Sequence, residues 1–162
     1  MSRKVFFSFH YQNDINRSMV VRNSWVTQGK EAAGFIDKAE FEKIKRSGDD
    51  AVKRWIDAQL HGTSVTVVLI GSETLDRHFV QYEICESVNK GNAIIGVYID
   101  GIKDMITNHV SVKGNAHTII GSLNGRNIYF DEICDGLYDY NIQDGFHNLG
   151  KWIEIAAKAH DK

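Results

Sequence analysis

No proline occurs anywhere in the 162 residues, so every break between elements must come from Gly, Asn and Asp chemistry. Only two cysteines are present, Cys85 and Cys134, too few for a disulfide scaffold or a four-ligand zinc site. The seven histidines are scattered without HExxH spacing, so no metal is expected. A net charge of −2 offers no basic field for nucleic acid or an anionic membrane. No apolar run approaches the roughly 20 residues of a membrane span. The apolar stretch behind "MSRK" is too short for a secretory signal and turns polar at once. These absences predict a cytoplasmic protein with neither nucleic acid nor membrane as partner. Familiar cofactor chemistry is missing too: there is no GxGxxG after the first apolar run, no GxxxxGK[ST] and no GxSxG elbow.

What is present is the composition of a globular protein, 43% apolar and 25% charged, long enough for one domain spanning residues 1–162. Short apolar runs alternate with helical patterns. "KVFFSF" (4–9), "AAGFID" (32–37), "SVTVVLIG" (64–71), "NAIIGVYID" (92–100) and "NIYFDEI" (127–133) are predicted strands. Helices are predicted over "INRSMVVRNSWVTQG", with Asn13 or Asp14 as cap and Gly29 as stop, and over "GDDAVKRWIDAQLHG", "TLDRHFVQYEICESVNKG" and "FHNLGKWIEIAAKAH". The stretch 101–127 has no clear period and reads as loop with short elements at most. Such alternation implies an α/β fold of flavodoxin-like, three-layer layout: a five-stranded, mostly parallel sheet with helices on both faces. Ligands in these folds bind beyond the carboxyl ends of the strands. The groups delivered there are Ser8, His10 and Tyr11, then Asp37 and Lys38, Ser72 and Glu73, and Asp100.

One carboxylate stands out. In the third helix Val80, Ile84 and Val88 form an apolar stripe at i, i+4 and i+8, and Glu83 falls at its margin. Its neighbours at helical spacing are Phe79, Val80, Glu86 and Ser87, so no Lys or Arg lies within local pairing reach. Glu86, by contrast, has Lys90 four residues on. A distant cation is one explanation for Glu83; a functional role is the other.

Four segments in this order, "VFFSFHYQ", "VVRNSWV", "SVTVVLIGSETL" and "VQYEI", resemble a TIR domain, and most closely the ThsB-type TIR proteins of the bacterial Thoeris antiphage system. The resemblance covers residues 4–100 and loosens beyond. It implies a TIR fold and an enzyme that cleaves the nicotinamide–ribose bond of NAD, its substrate, with no separate cofactor. It also implies an ADP-ribose-derived messenger, a cyclic isomer or a conjugate, that activates a separate effector. Phage infection is the implied trigger and self-assembly the implied state. The catalytic residue implied is Glu83. One carboxylate suffices for this chemistry, because nicotinamide leaves as a neutral molecule and needs no general acid, whereas an alkoxide leaving group in an ordinary glycosidase needs one. What needs stabilising is the positive charge that grows on the ribose.

The resemblance also implies substrate-binding roles for Phe7, Ser8, His10, Tyr11, Arg22, Asn23, Asp37, Ser72 and Phe79. Phe7 is preferred over Phe9 as the aromatic beside the ligand, although either must also serve the core. Arg22 could bind a pyrophosphate and Asn23 a ribose or amide; both also read as ordinary helix surface. "FIDKAEFE" resembles the segment entering a mobile loop, with Asp37 and Glu42 as positioning acids. Phe79 departs from the Trp that relatives often carry four residues before the catalytic Glu. A non-catalytic TIR scaffold, acting by self-assembly and protein binding, is the alternative reading; a proline common in the adaptor loop after the second strand is absent here.

Overall fold

The computed structural model describes residues 3–36 and 38–161. Five strands form one sheet: β1 (Lys4–Ser8), β2 (Glu31–Ala33), β3 (Val65–Ile70), β4 (Ala93–Tyr98) and, later in the chain, β7 (Gly136–Asp139). Their spatial order is β2-β1-β3-β4-β7 and every pairing is parallel. All five carboxyl ends therefore meet at one edge, and the strand order reverses between β1 and β3, where α/β sheets open a crevice.

Strand periodicity decides what each face carries. On one face Val5 and Phe7 of β1, with Val65, Val67 and Leu69 of β3, pack under α1 (Tyr11–Thr27) and α6 (Gly145–Ala159). On the other, Phe6 packs against Val52, Ile56 and Leu60 of α3 (Asp49–Leu60), while Val68 and Ile70 pack against Val80 and Ile84 of α4 (His78–Lys90). A short helix, α2 (Lys38–Arg46), precedes α3. No helix among the described residues is long and apolar enough to cross a membrane.

Several boundaries differ from the expectations. The second strand ends at Ala33 rather than running to residue 37, because Gly34 turns the chain at φ +92° where a Cβ would lie 2.3 Å from the Phe7 carbonyl oxygen. Residues 38–42 of the segment read as entering a mobile loop form the start of helix α2. Helix α1 starts at Tyr11, directly behind β1, so neither Asn13 nor Asp14 caps it; Asp14 is buried within its first turn.

"NIYFDEI" is not a strand of the main sheet. Its first half is β6 (Arg126–Tyr129), which pairs antiparallel with β5 (Ile119–Leu123) in a separate hairpin, and its second half is α5 (Phe130–Ile133). Ile120 of the hairpin and Phe130 of α5 join the core cluster of Val80 and Ile84 of α4, and the fifth main strand is the short "GLYD" of β7. In α4 the buried face is Val80, Glu83, Ile84 and Ser87, while Val88 is 47% exposed. The apolar stripe thus gives way to a polar seam at its end: Ser87 Oγ donates to the Glu83 carbonyl at 2.7 Å and pairs with Thr66 Oγ1 at 2.7 Å.

Candidate active site

A cavity of about 240 Å³ opens at the carboxyl edge of the sheet, in the crevice between the segments that follow β1 and β3. Phe9, His10 and Tyr11 enter it from behind β1, and Gly34 and Ile36 from behind β2. Phe41 and Lys45 come from α2, and Val52, Trp55 and Ile56 from α3. Arg77 to Val80 and Glu83 come from the start of α4.

Among the described residues that line it, Glu83 is the only carboxylate. It is 7% exposed, and Ser8 Oγ donates to its Oε1 at 2.7 Å. Ser8 reaches it because residues of even number on β1 face α4. No hydrogen bond to Oε2 is present among the described residues, and Glu83 lines the cavity. Burial pushes its pKa up from 4.5 to about 8, against the smaller downward pull of the Ser8 hydroxyl. Among the described residues the missing local cation noticed in the sequence is not replaced by a distant one: the partner is a neutral hydroxyl. A carboxyl group in this setting gains from a cation beside it, since positive charge favours its ionised form.

Aromatic rings form much of the rest. Tyr11 stacks on Phe41 with ring centroids 4.4 Å apart, Phe9 lies 6.1 Å from Tyr11, and Trp55 and Phe79 complete the wall. Faces of this kind accept a flat heteroaromatic ring and, through their quadrupoles, a cationic one. His10 is 8% exposed and lines the same cavity; burial first and the Arg77 charge second hold its pKa below the ordinary value.

The structure brings Ser8, His10, Tyr11, Phe79 and Glu83 together. It does not bring Phe7, Arg22, Asn23 or Ser72 to them. Phe7 is fully buried on the opposite face of the sheet, with its ring 6.3 Å from Trp25 and 5.5 Å from Phe35. Phe7 and Phe9 share that side by parity, but Phe9 lies beyond the strand end and reaches the cavity edge. Arg22 lies over the Phe35 ring at 5.8 Å and bonds the exposed Asn23 at 3.3 Å, away from the cavity lining. Ser72 is exposed and Glu42 half-buried, and neither lines the cavity. Asp37 lies outside the described residues.

Sequence reasoning missed Phe41, Lys45, Trp55 and Arg77 as cavity residues. The i, i+3 pair Phe41 and Ile44 signalled the helix that carries the first two. Trp55 sits on the apolar stripe of its helix, a pattern that signals core. Arg77, in a turn, had no periodic signal.

Comparison with known proteins bears on this geometry. Residues 6–104 match the family described as "Thoeris protein ThsB, TIR-like domain". The chain is also 44% identical over 144 residues to a protein of Bacillus cereus (strain MSX-D12) named "Putative cyclic ADP-D-ribose synthase ThsB1", an alignment covering 86% of this chain and 75% of that protein. The matched segment runs from within β1 through β4 and contains every described residue of the cavity lining.

Proposed function

Since the chain belongs to the Thoeris ThsB family of TIR-like proteins, we propose that it is a synthase that cleaves the nicotinamide–ribose bond of NAD and closes the ADP-ribose part into a cyclic messenger. The messenger activates a separate Thoeris effector, with phage infection as the trigger and self-assembly as the active state. The observation that carries this reading is Glu83: a carboxyl group buried at 7% exposure, held by the Ser8 hydroxyl, at the wall of an aromatic-lined cavity.

The chemistry follows from that environment. The nicotinamide end of NAD carries a positive charge. Brought against the Glu83 carboxyl, it draws the pKa down from about 8 and favours the carboxylate. Ser8 then holds one carboxylate oxygen in place, leaving Oε2 for the ribose. As the C1′–N bond breaks, its electron pair leaves on neutral nicotinamide and positive charge moves onto the ribose ring. A fixed anion in a site with little water stabilises that charge where it develops. The wall of Phe9, Tyr11, Trp55 and Phe79 limits water, so a hydroxyl of the same substrate competes well for C1′. Its attack, with loss of its proton, closes the ring.

The test is mass spectrometry of concentrated protein incubated with NAD, beside Glu83→Gln, repeated in phage-infected cells expressing each version. Nicotinamide and a cyclic product from the native chain, absent with the variant, are the expected result. Full turnover by Glu83→Gln would remove the assignment, and silence of both versions in infected cells would favour a scaffold.

A further inference from the structure

Glu83 is held twice: at its side chain by Ser8 of β1, and at its backbone by residues outside the cavity lining. Ser87, one turn further along α4, donates its hydroxyl to the Glu83 carbonyl at 2.7 Å. Thr66 of β3 lies 2.7 Å from the Ser87 oxygen, and the side-chain amide of Asn92 lies 3.2 Å behind Thr66. Thr66 and Ser87 are fully buried, and Asn92 nearly so. Strand parity explains the meeting. Thr66, like Val68 and Ile70 of the same strand, faces α4, and on the neighbouring strand Ser8 does too.

The direction of every bond in this line is fixed. Thr63 Oγ1 donates to the Leu60 carbonyl at 2.6 Å, so it accepts from Asn92 Nδ2, 3.0 Å away. That orients the amide. Thr66 accepts from the same nitrogen and therefore gives its own hydrogen to Ser87, whose hydrogen is already on the Glu83 carbonyl. Asn92 is anchored in turn. Gly91 ends α4 in the left-handed region at φ 88°, and the Asn92 N–H returns to the Ser87 carbonyl at 3.0 Å. The line from Asn92 through Thr66 and Ser87 thus ends on Glu83, whose carboxyl lines the cavity.

Packing alone does not require these hydroxyls. Val at 66 and Ala at 87 would fill nearly the same space with no polar group to satisfy, and Ala is the better helix former. The apolar contacts of Val80 and Ile84 with Val68 and Ile70 hold α4 to the sheet, but such contacts have no direction and permit it to roll. Short hydrogen bonds do have direction, and a fully satisfied buried line of them rigidifies what it joins.

We propose that Thr66 and Ser87, with Asn92 behind them, are positioning residues for the reaction: they set the roll of α4 over β3 and so hold the Glu83 carboxyl against Ser8 at the cavity wall. This rests on the function proposed above and adds residues that touch neither substrate nor reacting atoms. At the ~5 Å radius of a helical side chain, a roll of about 10° moves the carboxyl by about 1 Å. A misplacement of that size costs up to about 10²-fold in rate.

The test uses the full chain with Thr66→Val, Ser87→Ala, the two combined, and Thr66→Ser, which keeps the hydroxyl. Ile153→Val, in the core on the opposite face of the sheet, controls for lost packing. Nicotinamide release is measured as kcat and KM across pH, and the Glu83 carboxyl is titrated by carbon NMR, assigned with Glu83→Gln. Thr66→Val and Ser87→Ala should each lower kcat about tenfold and leave KM within about twofold. The combined variant should lose little more than either alone, because both break one line. Thr66→Ser should recover kcat to within about twofold of native. The carboxyl midpoint should move upward in the hydroxyl-free variants, since the Ser8 hydroxyl that holds it down is then less well placed. Ile153→Val should change neither, whatever it does to the melting temperature.

Native kcat and a native midpoint in the hydroxyl-free variants would overturn the assignment, even with a lower melting temperature. So would a Thr66→Ser variant as impaired as Thr66→Val. If Thr66→Val does not fold, Ser87→Ala carries the test, because alanine favours the helix it sits in. The titration separates this proposal from the reading of function. A shifted midpoint in a chain that never releases nicotinamide leaves Thr66 and Ser87 as the residues that place Glu83 and removes the synthase. Native turnover in every variant removes their positioning role and leaves the synthase.

Discussion

Asp14 and Glu83 are both buried acids, and burial raises the pKa of each, yet they occupy opposite kinds of surroundings. Asp14 is enclosed by partners. Arg17 Nη1 contacts its Oδ1 at 3.4 Å, Thr74 Oγ1 donates to Oδ2 at 3.4 Å, and the same Thr74 oxygen accepts the Gly71 N–H at 2.8 Å. Position 71 must be glycine for this, because a Cβ there would lie 2.1 Å from Asp14 Oδ2. Arg17 extends the network by donating to the carbonyls of Ile102 and His109 at 2.8 and 2.9 Å, tying α1 to the long loop after β4. Glu83 has one neutral partner and a cavity. A buried acid surrounded by donors holds elements together, whereas a buried acid left short of donors at a cavity wall is suited to a cationic ligand.

The largest expected effect separates the two in activity. Glu83→Gln should cut nicotinamide release by about 10²-fold or more, the scale of a lost transition-state charge contact, while the melting temperature holds or rises. Asp14→Ala should do the reverse. It strands a buried Arg17 and should lower unfolding free energy by about 3 kcal/mol in urea titration, with specific activity of the folded fraction retained.

A smaller contrast concerns the two phenylalanines of the first segment. Phe7→Leu should destabilise by about 1 kcal/mol and leave the KM for NAD unchanged. Phe9→Leu should raise KM, because only Phe9 reaches the cavity. Steady-state kinetics beside thermal melts would read both.

Dependence on pH sharpens the comparison further. Glu83 is neutral in the folded and unfolded chain below pH 4.5, so its stabilising contribution is complete there. Between 4.5 and about 8 the unfolded chain ionises first, and stability falls until the folded group ionises too. Asp14 is shifted in the same direction, so Glu83→Gln should flatten only part of the decline. At pH 8 the variant should exceed the native chain by about 1–3 kcal/mol. For the native enzyme kcat/KM should climb with pH through a midpoint near 8 to a plateau above it, as the carboxylate forms. The smallest effect is that of Ser8→Ala, which removes the hydroxyl that favours the ionised form. It should move that midpoint upward and cost about 1 kcal/mol of stability.

Much of this contrast was legible in residue order. Glu83 stood out because nothing at helical spacing could neutralise it, and the strand–helix alternation pointed to the crevice where it lies. The parallel sheet and the helices on both faces follow from the runs at 4–9, 64–71 and 92–100 and the amphipathic patterns between them, whereas the strand "GLYD" that completes the five carries no such run. Asp14 was misread as a cap because its partners, Thr74 and Gly71, lie far along the chain. The hairpin of β5 and β6 was hidden because short amphipathic strands with turn residues lack a period, and "NIYFDEI" looked like sheet for the same reason.

The sequence by itself determined the layer architecture, the end of the sheet where ligands meet it, and the carboxylate to watch, since periodicity and local charge are properties of neighbours along the chain. Only the tertiary structure decided that Ser8 is the partner of Glu83, that Phe9 and not Phe7 reaches the cavity, and that Arg77, Lys45 and His10 line it. The physical reason is that these relations join side chains from β1, α2 and α4 across tens of residues. They are set by strand parity and crossover geometry rather than by any local propensity.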